Sequence, residues 1–155
     1  MHKKMGIYTA IFAGMMVLAG LSSVSYAADA KAKMHHMTKV AEKEKVVFQV
    51  SEADPKKWNL ALNNAKNVQD EIGKDKVDIE IVVYGPGIGM LKLDSEVAQR
   101  IDQSLESGMK IVACENTMKT QKLTRADMLP NVAYVPAGVV ELMKKQKEGY
   151  AYIRP

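Results

Sequence analysis

Cysteine occurs once in the 155 residues, at position 114, and histidine three times, at positions 2, 35 and 36. A lone cysteine excludes an intramolecular disulfide. All three histidines precede Val46, so the chain beyond that point has no partner for a Cys-His nucleophile pair. Internal repeats are absent, as is the Gly-Lys-Ser/Thr of a phosphate-binding P-loop. The only long uncharged apolar run is Ile7 to Leu21. A hydrophobic fraction of 47% then describes an ordinary globular protein of at most one domain, and excludes a disordered chain, a collagen or a multi-span membrane protein.

An excess of positive charge is also missing from the part that can fold. The chain carries a formal net charge of +4, but Lys3 and Lys4 are the only charges before Ala28. Ala28 to Lys45 adds five lysines against Asp29, Glu42 and Glu44. From Val46 onward 15 basic residues meet 15 acidic ones, and a neutral domain lacks the electrostatic footprint of a nucleic-acid binder.

Residues 1–27 resemble a secretory signal peptide: basic His2-Lys3-Lys4, the apolar run, then small Ser25 and Ala27 ahead of the expected cleavage before Ala28. The apolar run is short for a span of about 20 residues and is broken by Gly14 and Gly20, so no stable membrane span is expected after cleavage. With no acyl-accepting cysteine nearby, the expectation is a soluble, exported, periplasmic protein. In that oxidising compartment Cys114 is buried and inert, paired between chains, or chemically employed.

Residues 28–45 read as a charged flexible tether. Within it Met34-His35-His36-Met37 offers thioether and imidazole groups of the kind copper favours. Four adjacent residues without a folded frame read as a solvated linker, so no metal or cofactor is expected, with His35 and His36 the candidates should one bind.

From Val46 the pattern alternates between strand and helix. Val46–Val50 reads as a buried first strand; Asp54-Pro55 supplies an N-cap and a first-turn proline for a helix ending at Gly73. Trp58, Ala61, Leu62, Ala65, Val68 and Ile72 recur on one face of that helix, which makes Trp58 a core residue. A second strand from Val77 to Tyr84 runs into Gly85-Pro86-Gly87-Ile88-Gly89, followed by a helix expected from Asp94 to Gly108. Lys110–Cys114 is a third strand, Val132–Val135 a fourth and Tyr150–Ile153 a last, with a helix through Val139, Val140 and Met143 before it. This predicts a three-layer α/β domain over residues 46–155, with a mainly parallel sheet of about five strands flanked by helices.

Ligands gather at the carboxyl ends of strands in such sheets, where this chain puts Ser51–Asp54, the glycine turn and Cys114–Met118. The glycine spacing does not match a dinucleotide fingerprint, since Met90 stands where a third glycine would be. A tight turn passing close to Cys114 is its expected use, with phosphate binding the alternative. Asn116-Thr117 after the cysteine could open a helical turn whose N–H groups face a thiolate, while Glu115 opposes ionisation. On chemistry alone the buried, unreactive cysteine is favoured. Glu52, Asp54, Asp70, Glu71, Asp75 and Asp78 read as loop, cap and surface charges, and Lys144-Lys145-Gln146-Lys147 as complements to a helix C-terminus.

Several motifs then occur in one order: Val46-Val47-Phe48-Gln49-Val50-Ser51, Trp58 to Asn67, Tyr84-Gly85-Pro86-Gly87, Ala113-Cys114-x-Asn116-Thr117-Met118, Val135 to Glu141, and Gln146-x-x-Gly149 to Pro155. In these the chain resembles the exported branch of the DsrE/DsrF-like family. The resemblance implies a compact α/β domain that assembles into homotrimers or hexamers, with some relatives carrying sulfur as a cysteine persulfide. The branch's Cys-x-Asn-Thr-Met motif maps onto Cys114.

The resulting expectation is an exported sulfur carrier or sulfane-sulfur binding protein of sulfurtransferase type. Cys114 holds persulfide or thiosulfonate, Asn116, Thr117 and the N–H groups of Gly85, Gly87 and Gly89 stabilise the anion, and a sulfur donor or acceptor protein is its partner. The alternative is a non-enzymatic oligomeric module, binding a small ligand or acting as a scaffold, with Cys114 only lining the pocket.

Overall fold

A computed structural model describes residues 42–155. The expected signal peptide, most of the expected tether and His35 and His36 lie outside the described residues. Five strands form one sheet in the order β4-β3-β2-β1-β5. They are β1 (Glu44–Val50), β2 (Val77–Val83), β3 (Lys110–Cys114), β4 (Ala133–Val135) and β5 (Ala151–Ile153). Every neighbouring pair is parallel, with Val50 level with Val83, Val83 with Ala113, and Cys114 with Val135. The α/β architecture expected from the alternating pattern is the one observed.

The apolar run 46–50 forms the expected strand, but β1 begins two residues earlier, because Glu44 and Lys45 pair in register with Val77 and Asp78. Helix α1 (Pro55–Ile72) starts where the cap chemistry requires: the Asp54 side chain accepts the Lys56 N–H at 2.9 Å and Pro55 occupies the first turn. Trp58, Ala61, Leu62 and Ala65 are its buried stripe. They pack with Phe48, Ile81, Ile101 and Ile111 in the main core, where each large side chain removed from water contributes about 1.5–3 kcal/mol.

Helix α2 (Ala98–Glu106) begins four residues later than the expected Asp94. Lys92 bridges Met128 and Leu93 N–H bonds to the Asp127 carbonyl at 3.0 Å, and residues 94–97 are spent on two successive turns, closed by Ser95 N–H on the Lys92 carbonyl at 3.0 Å and Ala98 N–H on the Ser95 carbonyl at 3.1 Å. The glycine run is more ordered than a turn: Gly85–Leu91 forms a 3₁₀ helix. Helix α3 (Glu115–Thr120) follows Cys114 directly.

Helices α1 and α2 cover one face of the sheet. The other is crossed by α4 (Gly138–Lys147), which leaves β4 at one edge and delivers the chain to β5 at the other. Its core is small: Val47, Val82, Val112 and Leu142, with Tyr84, Val135 and Tyr150 packed around them. No helix among the described residues is long and apolar enough to cross a membrane.

Candidate functional site

Parallel pairing brings the carboxyl ends of β1, β2 and β3 side by side, and with them the three segments singled out from sequence. Gly87 bridges the first two. Its N–H bonds to the Ser51 and Tyr84 carbonyls at 3.1 and 3.2 Å, and a Cβ there would stand 2.7 Å from the Val50 carbonyl oxygen. Only glycine lets the backbone pass so closely, and it passes over the end of β1 instead of Cys114. Gly85 bridges the second and third, its N–H donating to Thr117 Oγ1 at 2.9 Å while its carbonyl accepts from Gln121 Nε2 at 3.2 Å. Gly89 lies farther along the 3₁₀ helix, against the Trp58 ring. The N–H groups of Gly85 and Gly87 thus have partners within the protein.

Cys114 closes β3 and is the residue from which α3 starts, with its backbone still extended. Strand alternation turns its side chain to the face of Val112, which is the α4 face. There it meets the beginnings of two helices. Behind it are the N–H groups of Asn116 and Thr117, and across from it is the N–H of Gly138, first residue of α4, whose cap residue Ala137 makes no side-chain hydrogen bond.

Burial pushes the thiol pKa up. The Thr117 hydroxyl and the N–H groups of Gly138, Thr117 and Asn116 outweigh that and hold it below the ordinary thiol value. Asn116 N–H also bonds to the Pro136 carbonyl at 3.1 Å, so its contribution to the sulfur is shared. Thr117 is better arranged: its oxygen accepts from Gly85, which leaves its hydroxyl proton free to donate. Glu115, expected to oppose ionisation, is not among the largest causes of this balance. Its carboxylate turns outward to Arg125 at 2.8 Å, and Arg125 stacks on Tyr134, 4.3 Å from the ring centre.

Gly138 was missed as a site residue, although the Val135-Pro136-Ala137-Gly138 run is distinctive in the sequence. A Cβ at Gly138 would come within 3.0 Å of Tyr84 Cβ and 3.1 Å of Cδ1. The absence of a side chain is what allows α4 to lie against β2 and reach the sulfur. The nearby rim is polar: Tyr152 donates to Gln49 Oε1 at 2.6 Å, Gln49 Nε2 bonds to Ser51 Oγ at 3.1 Å, and Arg154 pairs with Glu52. Among the described residues no three His, Cys, Asp or Glu side chains gather as a metal site. A groove of about 280 Å³ between α1 and α2, lined by Lys66, Gln69, Arg100 and Ser104 among others, lies on the opposite face from Cys114.

The chain is thus a parallel α/β sheet with a single buried thiol at its carboxyl edge, beside the starts of two helices. Residues 44–155, beginning at the first residue of β1, match the DsrE/DsrF-like family, and the chain belongs to it. A solved structure from Methanobacterium thermoautotrophicum, MTH1491, described as a protein of unknown function, is 33% identical. It aligns over 73% of this chain and 100% of its own with a TM-score of 0.70. Another, BT1422 from Bacteroides thetaiotaomicron, also described as of unknown function, shares the fold at 19% identity and a TM-score of 0.59, over 72% of this chain and 95% of its own. No curated protein matches.

Proposed function

We propose that the protein is a sulfur carrier in which the Cys114 thiolate accepts a sulfane sulfur. The observation that carries this reading is the set of donors around the sulfur, the Thr117 hydroxyl and the Gly138 and Thr117 N–H groups, which favour an anion in spite of burial. Membership of a family linked to sulfur relay supports the same direction. In the step proposed, the thiolate attacks the outer sulfur of a donor persulfide R–S–SH. The new Cys114 S–S bond forms as the R–S bond to that sulfur breaks, and R–S⁻ departs with the electron pair. The product, Cys114–S–SH, is a stronger acid than a thiol, and its anion would be held by the same donors. Atoms and electrons balance without an oxidant. Release to an acceptor thiolate is the same exchange in reverse.

Incubating purified protein with inorganic polysulfide and taking its intact mass tests this. The wild type should gain about 32 mass units, one sulfur atom, and Cys114→Ser should not. No gain, or an equal gain in both, defeats the proposal.

The second reading, a binding or scaffold module with Cys114 lining its pocket, is favoured by one observation: only 4% of the Cys114 residue surface is accessible. Alkylation of Cys114 in the native state speaks for the carrier. Labelling only after unfolding speaks for the module.

In the same proposal the chain is exported through its first 27 residues and works as a homo-oligomer. Support for assembly comes from the outer face of α4, where Val139, Val140 and Met143 are about half exposed, beside the uncovered edge strand β5 with Tyr152 and Ile153.

A further inference from the structure

Midway along β2, level with the first residue of β3, lies Glu80, 2% exposed. Its Oε1 has no hydrogen-bond partner, and its Oε2 lies 3.5 Å from Lys145 Nζ on α4. Lys145 is itself well covered, with Glu148 at 3.1 Å, Glu141 at 3.9 Å and the Tyr150 ring at 5.0 Å. Lys110 from β3 also faces Glu80. A buried carboxylate this poorly satisfied costs stability, and an apolar residue of similar size would pack there at lower cost. The pair therefore calls for a role other than holding the fold.

The footing of α4 supplies one. Of its ten residues only Gly138 and Leu142 are buried, so within the chain a single leucine is its apolar anchor. The rest of its seating is at its ends, where Gly138 lies against Tyr84 and Tyr150 follows the last turn. The first residue, Gly138, must keep its N–H on the sulfur. Two turns from that end, Lys145 is tied to the floor of the sheet through Glu80.

We infer that Glu80 and Lys145 are positioning residues for Cys114: their buried ion pair fixes α4 on the sheet so that the Gly138 N–H meets the sulfur. The inference rests on the reading of Cys114 as a thiolate. Glu80 never touches the reacting atoms. It is level with Lys110 in the sheet, four residues or about 13 Å below Cys114, too far for any contact with the sulfur.

At Glu80 direct electrostatics and positioning predict opposite signs, which makes a variant there the sharp test. Loss of the Glu80 charge acting through space would make the thiol slightly more acidic. Loss of the tether lets Gly138 withdraw and makes it less acidic. Thiolate absorbance near 240 nm, titrated against pH with Cys114→Ser subtracted, reads the outcome.

Glu80→Ala and Lys145→Met should each lower the thiolate fraction at pH 7 by about three- to tenfold, with Glu80→Gln, which keeps the volume and a polar head, about twofold. Lys144→Met removes the same charge from the exposed side of α4 and should change nothing. A folded Glu80→Ala with an unchanged or larger thiolate fraction overturns the inference, and should that variant not fold, Glu80→Gln decides by the same sign. An ordinary thiol in the wild type overturns both the inference and the thiolate reading. A low wild-type value that rises in the variants, without any sulfur loading, upholds the positioning and removes the carrier.

Discussion

Thr117 joins two segments through one oxygen: it accepts from Gly85 and directs its proton toward Cys114. Thr117→Val keeps the shape and removes both roles. It should raise the Cys114 pKa toward the ordinary thiol value and, by leaving the Gly85 N–H without its partner, destabilise the fold by about 1–3 kcal/mol. A thiolate titration and urea unfolding on one preparation check the two halves separately. Gly138→Ala should raise the same pKa by a different route, since Tyr84 Cβ is fixed to β2 and cannot yield to a methyl group at 3.0 Å. Sequence made Cys114 and Thr117 legible as candidates, because a thiol followed by Asn-Thr at a strand end is local chemistry. It did not reveal the Gly138 donor, whose approach depends on a helix that begins 24 residues later and returns across the sheet. Nor did it reveal Glu115 turning to Arg125, so the charge beside the cysteine looked more adverse than its outward direction makes it.

Among the elements, those governed by local rules were readable and those governed by distant contacts were not. Helix α1 follows from Asp54, Pro55 and a 3.6-residue apolar stripe, all within its own span. Ahead of α2 the chain is tied at residues 92–93 to residues 127–128 and then turns twice before Ala98, and no local pattern announces the distant tie. Lys145 stands with Lys144 and Lys147 in the last turn of α4, where the sequence puts it, and its head also reaches a buried carboxylate on β2 that no local pattern announces. The Gly85–Leu91 helix shows what glycine is for in this region. At Gly87 a side chain would collide with the backbone of β1, and backbone cannot rotate aside. Gly87→Ala should therefore cost about 1–3 kcal/mol and lower the urea midpoint, with the slope unchanged. An alanine variant as stable as the wild type would mean that β1 and the 3₁₀ helix separate without penalty.

For the whole molecule, the alternation of strand and helix was enough to give a five-strand parallel sheet, because parallel strands require crossovers and short crossovers are helical. The unequal covering of its two faces was not readable, as it depends on which side α4 takes. That face carries exposed Val139, Val140 and Met143, and assembly of identical chains through it has a direct consequence. Met143→Glu, at a side chain about half exposed on α4, should leave the fold intact and shift sedimentation toward a smaller species. An unchanged sedimentation coefficient would move the interface elsewhere. The domain's neutral charge adds that such assembly, like sulfur loading, should depend little on salt.

Thiolate stabilisation and sulfur acceptance meet in one experiment, the rate of mass gain from inorganic polysulfide measured across pH. Because the folded environment lowers the Cys114 pKa, the reactive form should be present at pH values where an ordinary thiol is protonated. The loading rate of the wild type, corrected for donor speciation with a small-molecule thiol, should rise to its plateau below the ordinary thiol range. In Thr117→Val that rise should move to higher pH. A wild-type midpoint at the ordinary thiol value, or sulfur gain that persists in Cys114→Ser, would contradict a thiolate carrier at Cys114.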